Sequence, residues 1–231
     1  MAGQRSFRYR IKGPQGFEHE LAVLLDGDTL CCLEPQPVDC AWTALACCQC
    51  RNCPLDPATT PLCPYAARIA PVLSSLAHLF SHDRVDVEVE CGTRSVRSST
   101  TAQAAASSLI GLLGAASGCP HTAFLRPMAW FHQPLATVEE TLFRAVSTWL
   151  LGRYFAAERG EAADWQLADL KRSYEQLHEV NLGLAARVRL ASEKDAGVNA
   201  VVRLDTFAKA VPWSIDAMLA ELRPLFTHSV P

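Results

Sequence analysis

The sequence predicts an α+β protein in which an N-terminal antiparallel β-sheet packs against a C-terminal helical bundle. Apolar and polar side chains alternate over two segments, near residues 5–34 and 84–98, as they do in half-buried strands. After residue 100 the apolar residues recur at spacings of three and four, which is typical of amphipathic helices. We therefore expect a single domain over residues 1–231, with residues 5–98 mainly sheet and residues 100–231 helical.

The first two strands are predicted to form a hairpin around the sequence GPQG at residues 13–16. Pro14 suits the second position of a type I turn, and Gly16 suits the left-handed residue that closes a three-residue loop. Opposite charges then lie on one face of the hairpin and apolar groups on the other. The register that follows pairs Gly13 with Phe17, Lys12 with Glu18, and Arg10 with Glu20.

The remaining strands should join the same sheet. A turn at residues 26–28 leads into a third strand that contains Cys31 and Cys32, and a second hairpin follows at 84–98. A helix at about 65–80 and a cysteine-rich loop lie between the two parts of the sheet. An uncharged run over 98–125 is rich in Ala, Ser and Gly, so its hydropathy predicts a buried helix, from about Thr101 to Gly118, and no membrane span.

Further helices follow. Thr137 and Glu140 form a predicted capping box that opens a helix to about residue 157, and another helix follows Asp164. Gly160 between them predicts an antiparallel helical hairpin. Two shorter helices, near 197–210 and 214–227 with Ser214 as the cap, would complete the bundle. The helix after Asp164 carries a heptad-like seam of Leu167, Leu170, Tyr174, Leu177, Asn181, Leu184 and Val188.

The net charge, the N-terminal sequence and the number of cysteines indicate the compartment of the protein and the partners to expect. The formal net charge of −3 gives no electrostatic reason to expect a nucleic acid partner. The charged start, MAGQRSFRYRIKG, has no apolar signal segment, so we expect a cytoplasmic protein that does not bind membranes. In that compartment the ten cysteines are expected to be thiols, ligands or redox-active pairs and not structural disulfides.

Half of those cysteines lie in the segment CCQCRNCPLDPATTPLCP at residues 47–64. Cys50 and Cys53 have the C-x2-C spacing at which two thiolates share a metal ion, and Cys63 could supply a third ligand. Cys119 is predicted as the fourth, because it follows a helix and, like Cys53 and Cys63, precedes a proline. The alternatives for the fourth ligand are His132, His121, Cys47 and Cys48.

The identity of the metal stays open between zinc and an iron–sulfur cluster, and the cysteines could also bind no metal. A proline directly after a ligand cannot donate an N–H to the sulfur, which weakens the zinc prediction, while iron–sulfur sites do use Cys-Pro. Without a metal, Cys50 and Cys53 could form a redox pair, although no βαβ context is evident, or the cysteines could simply pack in the core.

The sequence therefore favours a cytoplasmic metal-binding protein with a structural or sensory role. The alternatives are a metal-free helical interaction scaffold, with a protein partner or a second copy of the chain, and a thiol redox protein. Whether the chain is an enzyme is undecided, because the sequence contains no Gly-rich phosphate loop, nucleophile elbow or zincin helix.

Several motifs together resemble an uncharacterised bacterial family, a domain of unknown function that extends over nearly the whole chain. These are CRNCPL, LCPYAARI, SGCP, LRPMAWFHQPLATVEET and VNAVVRLD. The resemblance implies a single domain, and it implies no known activity. It makes Cys50, Cys53, Cys63 and Cys119 the motif cysteines, places His132 in the same loop system, and leaves Cys47 and Cys48 outside the pattern.

Overall fold

Five antiparallel strands form one sheet at the N-terminal end of the chain, in the order β3-β2-β1-β4-β5. The structure is a computed structural model that describes residues 3–191 and 195–227, apart from the side chains of residues 213 and 214. The strands are β1 (Gln4–Lys12), β2 (Glu18–Asp26), β3 (Cys32–Glu34), β4 (Arg84–Cys91) and β5 (Arg94–Thr101). The fold class is therefore the predicted α+β class.

The register of the first hairpin is the predicted one. Lys12 lies opposite Glu18 and Arg10 opposite Glu20, and the N–H of Gly13 donates to the carbonyl of Phe17 at 2.9 Å. The predicted turn type is wrong, however. Gln15 has a φ of 58°, whereas a type I turn needs a negative φ at this position, so two successive left-handed residues, Gln15 and Gly16, close the loop.

The two faces of the sheet differ in character. On the core face, Phe7, Tyr9 and Ile11 of β1 are fully buried. On the other face, the guanidinium of Arg10 lies 2.9 Å from Glu20 on β2 and 3.0 Å from Glu90 on β4. Such exposed ion pairs contribute little stability each, but a one-residue slip would bury every one of these charges, so the alternation fixes the register.

The helices cover the apolar face of the sheet and share one hydrophobic core with it. Helix α2 is the central helix, since it packs on α1, on α6 and on the last two strands. Short 3-10 turns at residues 120–125 and 223–226 join or follow the helices. The helices are α1 (Pro64–Leu76), α2 (Ala102–Ala115), α3 (Arg126–Trp130), α4 (Val138–Glu158), α5 (Ala168–Ala191) and α6 (Ala196–Leu222).

The uncharged run forms the buried helix α2, as predicted, and Leu109, Ile110 and Leu113 on it are fully buried. In the part of the chain that the structure describes, no single helix is long and apolar enough to cross a membrane. The bent pair formed by residues 102–115 and 120–130 passes the same test by length and composition, with a bend of 108° at the break.

Two predictions about the bundle are corrected. The seam of α5 is buried, but α5 packs mainly on α6 and on the 120–125 turn, so the predicted close pairing of α4 with α5 in a helical hairpin is wrong. The ring of Phe124 lies between the two helices and contacts both Trp149 and Tyr174. The two short C-terminal helices are one continuous helix, α6, which contains Pro212. The helix runs through residue 214, while the side chain of Ser214, the predicted cap, lies outside the described residues.

Candidate metal centre

The four cysteines predicted as metal ligands all line one small cavity of about 20 Å³. They are Cys50 and Cys53 from the loop between β3 and α1, Cys63 at the start of α1, and Cys119 after α2. His121 and Arg187 also line it. Among the other proposed fourth ligands, His132, Cys47 and Cys48 do not, so the structure brings together the residues that the motifs selected.

Short backbone contacts hold the cysteine-rich loop in place. Ala44 and Leu62 form an isolated antiparallel bridge, and the N–H of Cys63 donates to the carbonyl of Thr43 at 2.8 Å. The N–H of Cys53 donates to the carbonyl of Cys50 at 3.0 Å, which closes the C-x2-C segment into a turn. The loop therefore folds back on itself and presents three of its cysteines on one side.

The Cys-Pro dipeptides have a structural role at two of the four positions. Cys63 immediately precedes α1 and Cys119 precedes the 120–125 turn, and in both cases the proline occupies the first helical position, where no N–H is needed. Cys119 makes no full capping hydrogen bond, yet the backbone amides of His121 and Thr122 still act to lower the pKa of its thiol. At Cys119, amides two and three residues after the cysteine therefore favour the thiolate in place of the amide that proline lacks.

Helix α5 forms the opposite wall of the cavity, and Gly183 lets the loop approach it. A Cβ atom at position 183 would lie 2.8 Å from the Cys50 sulfur and 3.2 Å from the Cys48 carbonyl oxygen, so a larger residue would push the loop away. Asn52, inside the C-x2-C segment, donates to the Gln176 carbonyl at 3.0 Å and to its side-chain oxygen at 2.7 Å. The backbone carbonyl oxygen of Asn52 lies 2.7 Å from Nε2 of His121.

Arg187 on α5 lines the cavity but belongs to none of the motifs that predicted the site. Its side chain is only 1% exposed, and it donates to the carbonyls of Trp42, Ala44 and Leu45 at 2.9, 2.6 and 2.8 Å. Its Nε is buried without a hydrogen-bond partner, and within residues 3–191 and 195–227 it forms no ion pair. The sequence did contain one indication of its burial, since Arg187 follows Leu184 of the apolar seam by three residues.

Burial dominates the electrostatics of the thiols. It raises the pKa of Cys50 to about 12, with smaller contributions from the neighbouring cysteines and an opposing one from Arg187. It also raises the pKa of Cys119 to about 11. Both thiols are therefore neutral at pH 7 unless a cation displaces their protons, and neither has the depressed pKa of a reactive cysteine.

The thiols face one cavity without meeting at a single point. In the described ranges, 3–191 and 195–227, no group of three or more Cys, His, Asp or Glu side chains is close enough as it stands to hold a metal ion. All ten cysteines are free thiols, and the sulfurs of the adjacent Cys47 and Cys48 are 3.9 Å apart.

His132 has a structural role at a distance from the cysteines. Its Nε2 lies 2.6 Å from the hydroxyl of Tyr9, and its ring packs edge-on against Phe7 at 5.3 Å between centroids. Burial lowers the pKa of His132 to about 3, so the imidazole is neutral. It fastens the loop after α3 to the sheet.

The fold and the cavity together define an α+β protein in which four free cysteines line one small cavity. The chain belongs to the family described as Domain of unknown function (DUF6901), whose model matches residues 6–227. This confirms the resemblance to a domain of unknown function. No curated protein and no solved structure matches the chain.

One exposed apolar face bears on partners. Helix α4 exposes Phe143, Leu151, Tyr154 and Phe155, each between 44% and 55%. A monomer seldom exposes several large apolar side chains on one helix. The binding of a protein partner or of a second copy of the chain stays a prediction.

Proposed function

We propose that the protein binds one zinc ion through Cys50, Cys53, Cys63 and Cys119, and that the ion has a structural role. Four sulfur ligands are the commonest composition of a structural zinc site. The ion would draw the four sulfurs inward from positions that already line one cavity. Ten free thiols fit the reducing environment of the cytoplasm, where we place the protein.

The observation that carries this proposal is the buried guanidinium of Arg187. A buried charge without a counter-charge costs several kcal/mol, and carbonyl oxygens satisfy its donors without supplying a negative charge. Four thiolates around a divalent cation carry a net charge of about −2, which would place the missing counter-charge at the cavity that Arg187 lines. Four neutral thiols would leave Arg187 uncompensated.

The size of the cavity favours a single ion over a cluster. A volume of about 20 Å³ corresponds to one or two water-sized spheres, whereas an iron–sulfur cluster has several atoms inside its ring of thiolates. The raised pKa of Cys50 argues against a thiol redox protein, because the thiolate is the nucleophile in thiol–disulfide exchange.

The test is metal analysis of protein purified without oxygen. We expect one zinc per chain in the wild type, a colourless solution, and a large loss of zinc in Cys53→Ser. Cys48→Ser is the matched control, because Cys48 lies in the same loop, is exposed and does not line the cavity. A brown protein that contains iron would show a cluster. A wild type without stoichiometric metal, or equal zinc loss in both variants, would refute the four-cysteine zinc site.

A further inference from the structure

A second cavity in the described part of the chain is lined by none of the four cysteines. Its volume is about 410 Å³, which is within the range of small-molecule sites. It lies between α2 and the ends of α3 and α4 on one side and α5 and α6 on the other, with residues 98 and 100 of β5 at its edge. It is large enough for an organic molecule of moderate size.

The charge in this cavity has one sign. No Asp or Glu of the described ranges lines it, whereas Arg144 and Arg203 both do. Arg144 donates to the carbonyls of Met128 and Phe131 at 2.7 and 3.1 Å, and neither arginine forms an ion pair among the described residues. Glu140 is close enough to act on Arg144 but is held by the capping box at Thr137. A site with two guanidinium groups and no lining carboxylate selects an anion.

An unused donor lies in the wall of the same cavity. Asn181 on α5 lines the cavity and is only 2% exposed, and its side-chain Nδ2 is covered by neighbouring atoms and has no hydrogen-bond partner. A buried amide N–H without a partner costs about 1–3 kcal/mol, so a rotation of the side chain that brings it to an acceptor on a ligand would remove this cost. This second observation is independent of the two arginines.

The rest of the wall combines apolar side chains with hydroxyl groups of serine and threonine. A molecule that fills the cavity can therefore place hydrocarbon or an aromatic ring against the apolar part and its charged group near the arginines. The apolar side chains involved are Leu112, Leu125, Met128, Leu177, Leu204 and Phe207.

We propose that this cavity is a binding site for an amphipathic organic anion, with its acidic group at Arg144, Arg203 and Asn181 and its apolar body against the helices. None of these three residues lines the cysteine cavity. The site is therefore independent of the zinc proposal, and either can fail without the other.

The test compares two probes of equal length by calorimetric titration into the purified protein, octanoate and octan-1-ol. We expect octanoate to bind at least about ten times more tightly, because only the acid can pair with the arginines. Equal affinities would refute the anion selectivity, and no heat of binding from either probe up to their solubility limits would refute the site.

Variants locate the binding. Arg203→Gln should weaken octanoate binding, and since Arg203 is exposed and forms no ion pair in the described structure, the change should leave the fold intact. Arg189→Gln, an exposed arginine on α5 outside the cavity, is the matched control and should bind as the wild type does. Ser107→Phe should block the cavity and abolish binding of both probes. Unchanged octanoate binding in Ser107→Phe, with its thermal transition preserved, would place the probe elsewhere and overturn the proposal.

Discussion

At the scale of single residues, Gly183 has the most direct effect on the cysteine cavity. The methyl group of Gly183→Ala would lie 2.8 Å from the Cys50 sulfur, and the Cys48 carbonyl at 3.2 Å is backbone that cannot rotate away. The loop must shift, so we expect the zinc affinity to fall by about tenfold or more, as changes to the groups that support metal ligands do. Competition with a chromogenic chelator measures this affinity.

Gly152→Ala on α4 is the control for this change. Nothing lies within 4 Å of the added Cβ, so the substitution should leave zinc affinity unchanged. It should also stabilise the protein by about 0.5–1 kcal/mol, since glycine inside a helix is unfavourable relative to alanine. Equal zinc affinity in Gly183→Ala and the wild type would mean that the loop does not need its close approach to α5.

His132 gives the protein a defined sensitivity to acid. Its pKa is lowered to about 3 by burial, while an unfolded histidine has a pKa of about 6.5, so below pH 6.5 the unfolded state binds the extra proton. The stability from neutral His132 is complete above pH 6.5 and is lost as the pH falls toward 3. At pH 5 the loss should be on the order of 2 kcal/mol.

Urea unfolding at pH 7 and pH 5 measures this loss. His132→Gln should reduce the difference between the two pH values, because glutamine keeps a hydrogen-bonding side chain but does not titrate. His82→Gln, at an exposed position, should retain the difference. Loss of a bound metal in acid would affect the wild type and both variants alike. If His132→Gln showed the same loss of stability between pH 7 and pH 5 as the wild type, groups other than His132 would cause the acid sensitivity.

At the scale of elements, α5 connects both cavities through one buried face. Leu177 is 8% exposed and lines the larger cavity, and the same face continues to Arg187 at the cysteines. Leu177→Ala should destabilise the protein by about 2 kcal/mol, at the lower end for buried leucines, because one side of Leu177 already faces open space. Leu182→Ala, 45% exposed on the same helix, should change the free energy of unfolding by less than about 0.5 kcal/mol. Equal effects in the two variants would contradict the assignment of the seam.

The strands and helices show which features of the fold can be predicted from residues close together in the sequence. The register of β1 and β2 followed from charges within one hairpin, and the capping box at Thr137 followed from residues three positions apart. The partner of α5 did not follow, because a heptad-like seam identifies a buried face without identifying what covers it. The break expected between residues 210 and 214 does not occur. Pro212 lies inside α6, and the packing of the fully buried Ala208, Val211 and Ile215 around it outweighs the hydrogen bond that proline removes.

The candidate site was also predictable only in part from local sequence motifs. The C-x2-C spacing and the Cys-Pro dipeptides were sufficient to select four cysteines that line one cavity. Gly183 and Arg187, which shape and charge that cavity, lie more than 130 positions after the loop residues that they contact. Neither belongs to a local motif, so their roles depend on the tertiary fold.

At the scale of the whole molecule, the cysteine cavity joins distant parts of the chain, because its walls come from the 43–63 loop, α1, the segment after α2, and α5. A ligand that binds only the folded state adds a stability of RT ln(1 + [L]/Kd). Removal of zinc with a chelator under reducing conditions should therefore lower the Tm of the wild type and leave that of Cys53→Ser unchanged. Differential scanning calorimetry measures both, and an equal decrease in the two proteins would exclude zinc at these cysteines as the cause.

Tyr65 lines both the cysteine cavity and the cavity of about 410 Å³, so its ring belongs to the wall of each. Its hydroxyl donates to the carbonyl of Ile110 at 3.3 Å, and a Cβ on Gly114 would fall 2.2 Å from the ring carbon that bears the hydroxyl, so the ring lies directly against the backbone of α2. A ligand in one cavity that moved this ring would therefore change the shape of the other cavity. If both sites bind their ligands, the factor by which one ligand changes the affinity for the second equals the factor by which the second changes the affinity for the first.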